Sequence, residues 1–157
     1  MVNLLVDSEA PRFFLDSSVI IAGSASEVGA SSAILTMAEL GLFRLVACPY
    51  VMEETERNLI KKLPKALKRY SQIQSKIPWE IVSDSSYEEN SRWLSVLPEK
   101  DIPVLVAAIN AKLNRLVTLD TLHFLDDFEV AQKSQLMICT PATILRDTRH
   151  ALHNTFL

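Results

Sequence analysis

Short apolar runs alternate along this chain with segments of helical period, and that alternation admits few folds. Residues 12–15, 44–48, 79–82, 116–119 and 136–139 read as strands, with cores such as Phe13-Phe14-Leu15 and Leu45-Val46-Ala47-Cys48. A helix is expected over 31–40, where Ile34, Leu35 and Ala38 share a face and Gly41 supplies the stop. A second covers 49–62, with Val51, Thr55 and Leu59 inward. Pro64 restarts a helix at its first turn, where proline is tolerated, and Leu63, Leu67, Tyr70, Ile73 and Ile77 form its apolar stripe. A helix over 87–97 would turn Trp93, Leu94 and Leu97 inward. Asp101 starts a strongly apolar helix with Pro103 in its first turn, and Pro141 opens the last one. Strand–helix alternation implies parallel strands joined by right-handed crossovers. The expected class is α/β, three layers, with a central, mostly parallel sheet and helices on both faces. At 157 residues, without repeats, linkers or low-complexity tracts, 1–157 reads as a single domain with one core.

The carboxylates fall at telling places in this pattern. Asp16 follows Phe13-Phe14-Leu15, and Asp120 follows Leu116-Val117-Thr118-Leu119. Both stand at the ends of buried strands, where an open α/β sheet places its ligands. Asp101 opens the helix before the fourth strand, and Glu54 lies early in the helix after the second. Four acids on four elements can thus meet at one sheet edge. Like charges repel and raise one another's pKa, so such a cluster wants a counter-charge. A hard divalent cation, which takes oxygen ligands, is the commonest one. Singly, Asp101 reads as a helix cap and Asp16 and Asp120 as turn residues; their joint order favours a site. Glu53, Glu54 and Glu56 compete for the helical position, and the leucine register favours Glu54. His123 reads as a packed or capping histidine, Asp126 and Asp127 as exposed, and His150 and His153 as surface residues. No Ser/His/Asp or Cys/His nucleophile set, Gly-rich phosphate loop or four-cysteine zinc pattern occurs.

Four motifs in this order resemble the PIN-domain family of metal-dependent ribonucleases: Leu15-Asp16-Ser17-Ser18-Val19-Ile20-Ile21, then Pro49 to Leu59 with Glu54, then Asp101-Ile102-Pro103-Val104-Leu105-Val106-Ala107-Ala108-Ile109, then Val117-Thr118-Leu119-Asp120. Cys139-Thr140-Pro141-Ala142 looks like the family's last strand and helix start, so the likeness runs from about Phe13 to Leu145. The resemblance implies an endoribonuclease using Mg²⁺ or Mn²⁺, with Asp16 as central ligand and Glu54, Asp101 and Asp120 completing the cluster. Metal-acidified water would attack the phosphodiester in line, and a second metal would stabilise the leaving 3′ oxygen. Ser17, Ser18 and Thr118 would orient ligands or a phosphate oxygen. A toxin with an antitoxin-like protein partner is one setting that the resemblance implies, although extra chain around 60–97 separates this sequence from the smallest such toxins. A PIN-like module that binds RNA or protein without catalysis is the alternative. A phosphatase with Asp16 as nucleophile would want a second aspartate at position 18, where Ser18 stands.

Charge bears on the partner. The net charge of -3 argues against a general nucleic-acid coating protein but not against a nuclease whose acids hold metal. Seven Lys/Arg and no acid lie between Arg57 and Lys76. Lys61, Lys65, Lys68 and Arg69 there are either a solvated helix face or an RNA-backbone track. Mean hydropathy is +0.15, and Ile34, Leu35, Leu42, Phe43 and Trp93 suggest a surplus of apolar surface and hence a homodimer. No apolar run is long enough to span a membrane, and Met1-Val2-Asn3-Leu4-Leu5-Val6-Asp7 lacks a basic start. Cys48 and Cys139 read as core residues in a cytoplasmic protein.

Overall fold

The computed structural model describes residues 10–155, so the reading of Met1 to Asp7 lies outside the described residues. Strands β1 (Arg12–Leu15), β2 (Arg44–Ala47), β3 (Glu80–Ile81), β4 (Arg115–Val117) and β5 (Met137–Cys139) form one sheet in the order β3-β2-β1-β4-β5. Every pairing is parallel. Helices flank it: α1 (Ser17–Ala25), α2 (Ala30–Glu39), α3 (Pro49–Lys62), α4 (Leu67–Lys76), α5 (Tyr87–Ser91), α6 (Ile102–Asn110), α7 (Phe128–Ser134) and α8 (Pro141–Thr155). Phe13, Phe14, Leu15, Leu45, Val46 and Ala47 are all buried, as a sheet covered on both faces requires. From β1 the chain winds outward through β2 and β3, then returns to β1's other side with β4 and β5. The winding direction therefore reverses between β1 and β4, and the crevice at their carboxyl ends is the place such sheets offer to ligands.

Two devices at the other side of the strands hold the register. The Phe13 and Phe43 rings meet edge to face at 5.0 Å. Glu80 on β3 accepts from Arg12 on β1 (Nε, 3.0 Å) and pairs with Arg44 on β2 (3.3 Å), bridging three strands. These charges are partly exposed, so the bridge adds specificity more than stability.

The structure departs from the sequence reading in four places. Helix α1 has no counterpart there, because Val19-Ile20-Ile21 is a short continuous apolar run that suits strand or helix alike. Helix α5 stops at Ser91 instead of continuing to 97; turns follow, which keep Trp93 and Leu97 buried but leave Leu94 54% exposed. Leu63 at the end of α3 is 42% exposed and drops out of the stripe that Tyr70, Ile73 and Ile77 do form. Ile34, Leu35, Phe43 and Trp93 lie in the core, so of the positions expected as surplus apolar surface only Leu42 is exposed. Cys48 and Cys139 are buried free thiols.

Helices α1 and α2 cross closely at Gly23. A Cβ there would lie 2.3 Å from Leu35 Cδ1 and 3.2 Å from the Ser31 main chain. Gly23→Ala gains about 1 kcal/mol of helix propensity but overpacks at a cost of about 1–3 kcal/mol. The expected result is a net loss of stability in urea unfolding; an unchanged midpoint would mean that Leu35 swings aside.

Candidate functional site

The carboxyl ends of β1 and β4 are joined by main chain and hydroxyls together. The Asp16 N–H donates to the Val117 carbonyl at 3.0 Å, closing the seam between the strands. Asp16 Oδ2 accepts from Ser18 Oγ at 2.7 Å and from the fully buried Thr118 Oγ1 at 2.8 Å. These hydroxyls in turn accept main-chain N–H groups: Ser18 that of Leu119 at 3.1 Å, and Thr118 that of Asp120 at 3.0 Å. Asp16 precedes α1 but makes no side-chain cap. Its carboxylate is buried and held by two donors, so turn chemistry does not account for it.

Glu54 reaches the same edge from α3, where Ser17 Oγ donates to its Oε2 at 2.8 Å. Glu54 is half-buried, whereas Glu53 and Glu56 are exposed. The structure thus brings Glu54, and neither rival, to the residue after Asp16.

Asp101 lies at the start of α6, is buried, and caps nothing. Its Oδ2 is a buried oxygen with no hydrogen-bond partner among the described residues. His123 Nδ1 comes within 3.1 Å of it but also lies 3.0 Å from Asp120 Oδ2. A ring nitrogen carries one hydrogen, and the aligned contact is the one to Asp120. Asp120 Oδ1 also accepts the His123 N–H at 3.0 Å, so Asp120 caps this turn through its side chain, and the histidine itself caps nothing here. Ligand atoms of Asp101, Asp120 and His123 all lie within 4.8 Å of one another.

The electrostatics follow from this packing. Burial pushes the Asp101 carboxyl up to about 6, with the Asp120 and Asp16 charges adding to the rise and Lys100 and His123 opposing it. Burial acts upward on Asp120 too, but the hydrogen bonds and charge from His123 outweigh it and hold that carboxyl below its usual value. The Tyr50 phenol is raised by burial first and then by the Glu54 charge, with Asp101 contributing. Its hydroxyl donates to the Lys100 carbonyl at 2.8 Å, tying α3 to the start of α6.

The structure therefore gathers Asp16, Ser17, Ser18, Glu54, Asp101, Thr118 and Asp120 at one edge. It adds His123, which the sequence reading assigned to packing or capping. The available signal was its place three residues after Asp120, which lets one turn present both side chains. The close trio, among the described residues, is Asp101, Asp120 and His123; Asp16, expected as the central ligand, stands beside it on its two hydroxyl donors. A buried carboxylate oxygen that accepts no hydrogen bond, amid further acids, belongs to a donor set that fits a hard cation.

The basic positions divide. Lys61, Lys65 and Lys68 are exposed. Arg69 is instead a cross-link between helices: Nε donates to the Gly23 carbonyl at 3.1 Å, Nη2 to Ser32 Oγ at 2.9 Å, and Nη1 pairs with Glu27 at 3.2 Å. Asp127 caps α7 through the Val130 N–H at 3.1 Å, and Asp126, His150 and His153 are exposed.

Known proteins meet the chain at the level of family and fold. No curated protein sequence matches it. Solved structures do: PAE2754 from Pyrobaculum aerophilum superposes with a TM-score of 0.60 at 18% identity, over 87% of this chain and 89% of that one. VapBC2 from Rickettsia felis, bound to a DNA fragment from its promoter, gives 0.58 at 13% identity, over 82% and 98%. VapC20 from Mycobacterium tuberculosis, a Sarcin-Ricin loop cleaving toxin, gives 0.55 at 12% identity, over 70% and 91%. At such identities the likeness is one of fold. The family model of the PIN domain matches residues 12–122, a stretch that carries all four acids, and the chain belongs to the PIN-domain family.

Proposed function

We propose that this PIN-domain protein is a divalent-metal-dependent endoribonuclease whose centre comprises Asp16, Glu54, Asp101 and Asp120. The buried Asp101 oxygen without a donor, set among other carboxylates, carries the reading. Asp101 and Asp120 would hold Mg²⁺ or Mn²⁺ directly, with Asp16 and Glu54 bearing on it from the neighbouring strand end and helix. A cation there supplies Lewis-acid charge to the phosphodiester and to an attacking water. The protein groups do the positioning. Ser18 and Thr118 hold the Asp16 carboxylate in one orientation, Ser17 holds Glu54, and His123 holds Asp120. The first turns of α1 and α6 lie at the same edge and favour an anionic phosphate.

The neighbour described as a Sarcin-Ricin loop cleaving toxin supports RNA as substrate, and a toxin setting would bring an antitoxin-like protein partner. Exposed Lys61, Lys65 and Lys68 remain as an RNA-backbone track; Arg69 leaves it. Of the positions that suggested a homodimer only Leu42 is still at the surface. The proposal is tested by incubating structured and unstructured RNA with the protein and Mn²⁺, with the Asp16→Asn variant in parallel. Cleavage by the wild type alone is expected.

A further inference from the structure

We propose that the cleft between α5 and the start of α6 is a nucleobase subsite, which seats one unstacked base of a single-stranded RNA beside the acidic centre. It rests on the ribonuclease reading for its substrate but on a different set of residues. The cleft has a volume of about 500 Å³, and Tyr50, Tyr87, Asn90, Leu94, Lys100 and Pro103 are among its walls. That is within the roughly 300–1,000 Å³ of small-ligand sites.

Continuity with the centre is direct. Lys100 and Ile102, which flank Asp101, both line the cleft. Tyr50 lies one turn before Glu54 on α3 and hydrogen-bonds the Lys100 carbonyl at 2.8 Å. The far wall is preformed. Helix α5 starts with a capping box between Ser86 and Glu89, and Glu89 Oε1 accepts from Asn110 Nδ2 at 3.0 Å, which ties α5 to the end of α6.

The chemistry of the walls suits a base. Tyr87 is 84% exposed and Leu94 54% exposed, an apolar surface that solvent does not favour. Single-stranded RNA is recognised by stacking unstacked bases on aromatic rings and by hydrogen bonds to their edges. Tyr87 and Tyr50 bring rings. Asn90 Oδ1 accepts from Ser85 Oγ at 2.6 Å, which orients the amide and leaves its NH₂ to donate to a base. Lys100 brings a cation for the adjoining phosphate. An apolar side chain of a protein partner would use the rings and Leu94 but would need neither a base nor Asn90.

The test uses the whole chain and a labelled oligoribonucleotide with one mapped cleavage site, alongside copies that carry an abasic ribose at each flanking position. One abasic position is expected to lower kcat/KM by roughly 5- to 150-fold, mainly through KM, the loss of one base–aromatic stack. Tyr87→Ala should show a loss of that order on intact RNA and little further loss on the abasic strand; Tyr87→Phe should behave as wild type. Tyr87 is exposed, so folding is not at stake. The same strands are then bound to wild type and to Tyr87→Ala in EDTA, read by fluorescence anisotropy. Binding that depends on the base and on Tyr87, without cleavage in Mn²⁺, would keep the subsite and discard the nuclease reading. Cleavage or binding indifferent to every abasic position, or to Tyr87→Ala, would overturn the subsite, as would no binding at all.

Discussion

Asp101→Asn is expected to make the protein more stable and less able to hold a divalent cation. Its carboxylate oxygen is buried without a donor, and leaving such a group unsatisfied costs about 1–3 kcal/mol. The amide removes the charge and brings N–H donors toward Asp120. The pH dependence has a definite sign. The Asp101 carboxyl, at about 6, binds its proton more tightly in the folded chain than in the unfolded one. Its contribution is therefore favourable in acid and is lost as pH rises through about 6. The stability gap between variant and wild type should be small near pH 4 and full at pH 7 or above. Mn²⁺ at a hundred times its dissociation constant should stabilise the wild type by about 2.7 kcal/mol, and the variant by clearly less. Urea unfolding at several pH values, with and without Mn²⁺, measures all three. A variant less stable than wild type at pH 7 would mean that the oxygen has a donor in solution.

Asp16→Asn should reduce RNA cleavage by more than about 100-fold, beyond the roughly 10–100-fold typical of residues that only orient a metal ligand. The asparagine oxygen can still accept from Ser18 and Thr118, so the fold is expected to survive; what is lost is the negative charge. Removing the Ser18 hydroxyl by Ser18→Ala should cost less, within that 10–100-fold range, because the carboxylate remains but is less well held. Initial rates on one RNA rank the variants. A Ser18→Ala loss equal to that of Asp16→Asn would recast Asp16 as a structural acceptor for the strand-end hydroxyls.

The parts of this molecule that the sequence discloses are those with strong local signals. The parallel sheet is legible because strands buried on both faces are short continuous apolar runs, as at 13–15 and 45–47. The helices at 30–39, 49–62 and 102–110 show through their proline or glycine punctuation and their apolar spacing. Helix α1 is not legible, since an apolar run buried on most sides has no period. The end of α5 is not either, because Trp93 and Leu97 are satisfied by turns as well as by a helix. At the site, the four acids stand out by their positions relative to strands. So do Ser17, Ser18 and Thr118 beside them, expected as orienting hydroxyls; which carboxylate each one holds does not. Whether His123 lies between two carboxylates, or Arg69 is consumed by Gly23, Ser32 and Glu27, depends on contacts between distant segments. The leucine register favours Glu54 over Glu53 and Glu56, but helical period alone does not separate the three; the Ser17 hydroxyl from another helix does.

The most direct measurement is the chemistry of the RNA ends. Purified protein is incubated with a single-stranded RNA in Mn²⁺ or in EDTA, and the products are identified by mass spectrometry. Hydrolysis by water at a divalent-metal centre, with the 3′ oxygen leaving, predicts 5′-phosphate and 3′-hydroxyl ends that form in Mn²⁺ and not in EDTA. Products ending in a 2′,3′-cyclic phosphate, cleavage that continues unchanged in EDTA, or intact RNA under both conditions would contradict it.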